Sequence, residues 1–297
     1  MGALFGWAGR KVADQAYEKH ENEFVPFRSL ATGKTQEHLW RYIQRVNHGD
    51  HWNWIPQEIG DCVSFAGKHA GMCLTAYQIC EQGDSSKMRE WFPPYMYGMS
   101  RNAPDCGNGQ LGRNDGSVGA WLVIALQNYG VLFADDKGVP DYSGTIAKQW
   151  GVRGVPKEYQ KIASDNPVKS SSRLTSASAV REAVLSGCPV IIGSDWGLRA
   201  FESDGYVQYT RNGTWGHEMA IIGWQDDPFP MCFRQNSWFP LIDDSSSSKD
   251  LRLTHGEPGG GAWYRADYLD KEIRSGAECY SMNHFTGDAS VGRHSFI

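Results

Sequence analysis

The chain has 297 residues, a net charge of -5 and a hydrophobic fraction of 40%. This is the composition of a folded protein of one large domain or two lobes, and it excludes a disordered chain. The acidic balance offers no electrostatic footprint for nucleic acid or an anionic membrane, and no run of about 18 apolar residues is present to span a bilayer.

From the N-terminus, Leu4, Trp7, Ala8, Val12, Ala13 and Ala16 fall at helical spacing and predict an amphipathic helix over 3–17. A second helix is predicted over 36–47, followed by an aromatic loop, 48–61, broken by Pro56 and Gly60. Val63, Ala66, Ala70, Leu74, Tyr77 and Cys80 recur every three or four residues. They predict a long helix to Glu81, with Gly60-Asp61-Cys62 at its head. A glycine-rich stretch, 105–119, leads into a helix from Ala120 to Asn128 that Gly130 stops. The polar stretch 135–175 reads as mostly loop with one or two short helices, and Ser178 as the cap of a helix ending at Leu185.

After Gly187 the pattern changes to short β-branched runs. Strands are predicted at 189–193, 219–224, 231–236 and 262–265, with 226–230 turning the second into the third as a hairpin. The segment 243–250 reads as a polar surface loop. Helices first and antiparallel strands after make an α+β protein of two lobes.

Seven cysteines with no Cys-x-x-Cys pair indicate neither a zinc knuckle nor a redox motif, and an odd count leaves at least one thiol unpaired. Cys62 stands apart from the others by position. At the first turn of a helix the unpaired N–H groups and the dipole favour a thiolate, and a nearby imidazolium would lower its pKa further. His217, just before a strand, can pair with Cys62 and later protonate a leaving amine. Asn236, on the next strand, can accept from the other ring nitrogen and fix the ring. Gln57 can donate to an oxyanion together with the Cys62 N–H, and Trp238 can shield the histidine–asparagine pair. Cys106 in its glycine-rich loop lacks the helix context, and the other eight histidines are scattered and read as surface or loop residues.

The ordered set Gln57, Cys62, His217, Asn236-Ser237-Trp238 resembles the papain-like cysteine peptidases. The Ile222-Gly223-Trp224 strand, the Gly187-Cys188-Pro189-Val190 strand start and the Gly116-Ser117 pair before the Ala120 helix are similar to that family as well. The likeness covers roughly 50–270 and marks a remote member. Gln57 lies one residue closer to the cysteine than the family's usual spacing, Val63 replaces the Trp after it, and Glu218 follows the histidine where a small residue is usual.

The resemblance implies a helical left lobe over about 50–175 and a mainly β right lobe over about 176–297, with the active-site cleft between them, after an N-terminal helical extension over 1–49. It implies a Cys62–His217–Asn236 triad that hydrolyses peptide bonds through an acyl-enzyme thioester, with Gly116 and Ser117 lining the substrate cleft. The substrate would be a peptide or protein, with no metal or organic cofactor. The same pattern is compatible with an inactive papain-like subunit of a larger assembly docked through residues 1–49, or with a cysteine-dependent amidase or peptidoglycan hydrolase. The start MGALFGWAGRK lacks the form of a secretory signal, which leads to the expectation of a cytoplasmic protein or part of a particle.

Overall fold

The computed structural model describes residues 6–52, 55–84, 87–238 and 256–285. Its centre is α3 (Cys62–Glu81), buried on every face from Cys62 to Gln78, as a helix that is apolar all round must be. The lone cation of this helix, Lys68, is fully covered and is held by Glu90. Against it pack α4 (Pro93–Asn102) and α5 (Gly119–Tyr129), α6 (Gly144–Arg153) packs on α4, and α7 (Lys157–Ala163) follows in the chain. The sequence reading did not find α4, because Pro93-Pro94 looks like a breaker. Here the two prolines occupy the first helical turn, where a missing N–H costs nothing.

The second half forms a curled sheet in the order β2 (Val168–Arg173), β7 (Glu278–Phe285), β3 (Val190–Ser203), β4 (Tyr206–Gln225), β5 (Met231–Gln235), β6 (Gly261–Arg265). Long β4 also takes β1 (Gln36–His38) on one edge and meets β6 in parallel at Gln208, which bends the sheet towards a barrel. The expected β4–β5 hairpin and the β6 strand are present, and β5 and β6 pair antiparallel. The sheet thus forms the expected β lobe behind a helical lobe, and the architecture is α+β.

Several expectations are corrected. The helix expected over 3–17 is α1 (Arg10–His20), because Gly9 takes a positive φ of 94° and residues 6–8 run extended before it; residues 3–5 lie outside the described residues. The segment 36–47 opens with β1 before α2 (Trp40–Val46). Helix α8 (Ala177–Leu185) is capped by Ser176, not Ser178, through a 3.1 Å bond from the Ala179 N–H. The stretch 135–175 contains the two short helices but also β2. The ribbon of β3 and β4 continues to a two-residue turn, Asp204–Gly205, far beyond the strands expected. Its outer part is largely exposed and shows no clean alternation of burial for a sequence reading to follow. Helix α9 (Ala266–Arg274) and β7 were not foreseen. The loop expected at 243–250 lies outside the described residues.

All seven cysteines are free. The histidines expected at the surface include three that are buried, His20, His38 and His69. His38 stacks on Trp40 at 4.5 Å and His69 lies beside Trp52 at 5.6 Å, so their rings serve as aromatic core. No helix among the described residues is long and apolar enough to cross a membrane.

Candidate active site

Cys62 is the first residue of α3. Asp61 begins the helix, its carbonyl accepting from the N–H groups of Ser64 and Phe65 at 2.9 and 3.3 Å. Its carboxylate accepts from the Tyr142 hydroxyl at 3.1 Å, and the same hydroxyl accepts from the Glu58 N–H at 2.9 Å. This ties the loop before Cys62 to the segment leading into α6. The sulfur has no solvent exposure. Burial, and then the neighbouring Glu218 carboxylate, push its pKa well above that of a free thiol, against the N–H groups of Glu218 and Val63 directed at it.

His217 and Asn236 come from the paired strand β4 and the residue after β5. Asn236 Oδ1 accepts from the N–H groups of Ser237 and Trp238 at 2.7 and 3.2 Å, and His217 Nε2 lies 2.8 Å from the same oxygen. An oxygen already serving as acceptor requires Nε2 to carry the proton. Nδ1 is therefore the basic nitrogen, and it is buried without a partner. Trp238 stacks on the imidazole with ring centres 3.9 Å apart. Burial pushes His217 down to about 4, the Asn236 bond opposing the shift.

Gln57 is held to this group on both sides. Its N–H donates to the Ser237 carbonyl at 3.0 Å, and its side-chain oxygen accepts from the Ser237 hydroxyl. Its amide Nε2 donates to the Ile59 carbonyl at 2.7 Å.

The cleft is filled by the chain's own residues 6–8. The Gly6 N–H donates to the Gly216 carbonyl at 3.3 Å, the Ser117 N–H to the Gly6 carbonyl at 2.8 Å, and the Ala8 N–H to the Ser117 carbonyl at 2.8 Å. Trp7 and Ser117 thus form a parallel β-bridge. The passage is narrow. A Cβ at Gly116 would lie 2.9 Å from the Gly6 carbonyl oxygen, and one at Gly216 would lie 2.6 Å from that of Trp7. Gly6 itself covers Cys62, since a Cβ there would stand 2.3 Å from the Gly60 oxygen and 2.9 Å from the Cys62 sulfur. Gly116 and Ser117, read in the sequence as cleft residues, form one wall of this passage and Gly216 forms the other.

This cover works against the thiolate expected from the helix terminus. With water excluded from both groups, desolvation outweighs the helix field, and the neutral thiol and neutral imidazole are the favoured forms.

Glu218 and Glu278 lie beside the site and had no role in the sequence reading. The Trp7 indole N–H donates to Glu278 Oε1 at 2.5 Å. Glu278 also accepts from the first two N–H groups of α5, Gly119 at 2.8 Å and Ala120 at 3.2 Å, a carboxylate on a helix N-terminus. Glu218 lies beside it, with neither side-chain oxygen bonded. The charge of Glu218 inside an apolar strand run was a visible signal. Glu278 lies on β7, which carried no pattern of its own because it is buried between two other strands.

No family model matches the sequence, and no curated protein does. Solved structures do match in fold. Xylellain, a cysteine protease from Xylella fastidiosa, superposes with a TM-score of 0.60 at 13% identity, covering 94% of this chain and 96% of that one. Digestive procathepsin L 3 of Tenebrio molitor larval midgut gives 0.51 at 12% identity over 94% and 83%. The cysteine protease and lectin-like domains of Cwp84, a surface layer associated protein of Clostridium difficile, give 0.55 at 17% identity over 97% and 63%. The chain has the papain-like fold.

Proposed function

We propose that this protein is a cysteine peptidase, acting through Cys62, His217 and Asn236 and held closed in this form by residues 6–8. The reading rests on one observation above the rest. A peptide segment lies across Cys62, bonded through its backbone to Ser117 on one wall and Gly216 on the other. Backbone pairing of this kind would hold a substrate main chain whatever its side chains.

Displacement of the segment returns water to the dyad and relieves the desolvation that keeps both groups neutral. The Cys62 proton then passes to His217 Nδ1, while Nε2–H stays on Asn236. The thiolate adds to the substrate carbonyl carbon, and the oxyanion is met by the Cys62 N–H and by the Gln57 side-chain amide, turned from the Ile59 carbonyl. His217 returns its proton to the departing amine, the C–N bond breaks and a thioester remains. Water adds to the thioester with His217 taking its proton. The acid leaves and the thiol is restored.

The test uses the full chain with Trp7→Ala to loosen the cover, assayed on a library of fluorogenic peptides. Hydrolysis that disappears in Trp7→Ala/Cys62→Ala supports the reading. Hydrolysis that survives loss of the thiol, or an alkylatable Cys62 with no turnover of any peptide, overturns it.

A further inference from the structure

We propose that the Tyr142 hydroxyl is a positioning group that sets the span between the oxyanion donors of Gln57 and Cys62, acting through Glu58 and Asp61. The inference rests on the peptidase reading for the step it serves. Its own basis is a hydrogen-bonded latch on the segment that joins the two donors.

The donors stand at the two ends of 57–62. Gln57 is anchored on Ser237, and Cys62 opens α3. No disulfide fixes the segment between them, because all seven cysteines are free, and it passes through Gly60, the residue type with the least backbone restraint. What fastens it is the stretch 142–144. The Glu58 N–H donates to the Tyr142 hydroxyl at 2.9 Å, and that hydroxyl donates to Asp61 Oδ2 at 3.1 Å. The Gly144 N–H, at the start of α6, donates to Glu58 Oε2 at 2.7 Å. The approach is close: a Cβ at Gly144 would lie 2.8 Å from the Glu58 Cβ and 2.9 Å from the Ile59 Cγ2. One oxygen atom thus bonds both the residue after Gln57 and the residue before Cys62.

The direction of these bonds is fixed. A backbone N–H can only donate, so the hydroxyl accepts from Glu58 and its single proton goes to Asp61. Burial, and then the Asp61 carboxyl, push the hydroxyl's pKa above that of an ordinary tyrosine, so it remains a donor. Asp61 has no solvent exposure, and its Oδ1 is without a partner. Burial holds this carboxyl well above the usual carboxylate range. The Tyr142 ring meets Phe65 edge-on at 5.2 Å, three positions after Cys62, so the hydroxyl is carried by a ring seated on the first turns of α3. The latch matters most when Gln57 turns. Its Nε2 donates to the Ile59 carbonyl at 2.7 Å, and the Asp61 N–H donates to the same carbonyl at 2.8 Å. When the Gln57 amide leaves for an oxyanion, the Asp61 N–H still satisfies that carbonyl, and Tyr142 holds Glu58 and Asp61 where they were.

The experiment uses the full chain with Trp7→Ala, alone and combined with Tyr142→Phe, Asp61→Ala or Asp61→Asn. Phenylalanine keeps the ring on Phe65 and removes the hydroxyl alone. Three readouts are taken. The first is hydrolysis of fluorogenic N-acetyl dipeptide amides ending in Arg, Leu or Phe. The second is binding of the matching peptide aldehydes, to which the thiol adds with sulfur going to carbon and the proton to oxygen. The third is alkylation of Cys62 by iodoacetamide, in which sulfur displaces iodide and no oxyanion forms. Tyr142→Phe should lower kcat and weaken aldehyde binding by about tenfold each, below the roughly 100-fold of losing an oxyanion donor outright. KM and the alkylation rate should stay within about twofold of the parent. Asp61→Asn, whose amide reproduces the neutral carboxyl and still accepts from the hydroxyl, should recover most of what Asp61→Ala loses. Unchanged kcat and aldehyde binding in Tyr142→Phe overturn the proposal. So do a loss confined to KM, an equal loss of alkylation, or an Asp61→Asn no better than Asp61→Ala. Aldehyde binding that weakens in Tyr142→Phe while the parent hydrolyses no peptide upholds the latch and refutes the peptidase reading. A parent that neither hydrolyses nor binds any aldehyde overturns both.

Discussion

Replacing Trp7 by alanine should expose Cys62. Trp7 is 7% exposed and its indole donates to Glu278 at 2.5 Å, while among the described residues the backbone of 6–8 is held by three bonds to Ser117 and Gly216. Removing a buried aromatic side chain costs about 3–5 kcal/mol. The lower end applies here, because a segment held by a single β-bridge can relax around the loss. At about 1.4 kcal/mol per tenfold change, a 3 kcal/mol loss raises the open population roughly 100-fold. Alkylation of a covered thiol follows that population when opening and closing are fast. Cys62 labelling by iodoacetamide, followed by peptide mass spectrometry, should therefore accelerate by about two orders of magnitude. The partly exposed Cys80 and Cys188 serve as internal standards, and their rates should not move. An unchanged Cys62 rate in a variant with a native circular dichroism spectrum would refute the idea that residues 6–8 are the cover.

Other perturbations separate the remaining parts. In the Trp7→Ala background, Asn236→Ala removes the acceptor of His217 Nε2–H. A hydrogen bond to a group that becomes charged contributes about 1.5–3 kcal/mol, so kcat should fall roughly 10- to 100-fold with KM little changed; an unchanged kcat would remove Asn236 from the triad. Glu272→Ala strands Arg234, with which it forms a 2.7 Å ion pair at 1% and 0% exposure. Unfolding in urea should show a loss of about 3–5 kcal/mol, and a loss below about 1 kcal/mol would mean that water reaches the guanidinium. His217 is pushed down to about 4 in the fold from an ordinary value of 6.5. The unfolded chain then binds more protons between those values, so the histidine's contribution is full above pH 6.5 and is lost as pH falls towards 4. His217→Gln should flatten that part of the stability profile, by up to about 3 kcal/mol between the two ends. A wild-type profile in the variant would show that the ring is not desolvated.

The division between what was readable from the chain and what was not follows the range of the interactions involved. The periodicity from Val63 to Cys80, the β-branched runs at 190–192 and 219–222 and the order of Cys62, His217 and Asn236 are local patterns. They were sufficient for the α+β lobes and for the residues of the candidate triad. Buried β7 and proline-led α4 carry no clean period, and they were missed for that reason. Residues 6–8 had apolar spacing compatible with a helix, and the glycines bracketing Trp7 and Ala8, Gly6 and Gly9, weaken a helix without saying where the chain goes instead. What draws them out is the pairing of Gly6 and Ala8 with Ser117, more than a hundred positions away, and the Glu278 acceptor waiting for the Trp7 indole. Strand register likewise sets Glu218, Gly193 and Glu278 in one row, bringing together residues that no spacing along the chain relates. The chemistry of each side chain was set by the sequence. Which groups lose water, and therefore which are neutral, covered or without a partner, was decided only when distant segments packed against one another, because desolvation depends on the whole surrounding structure.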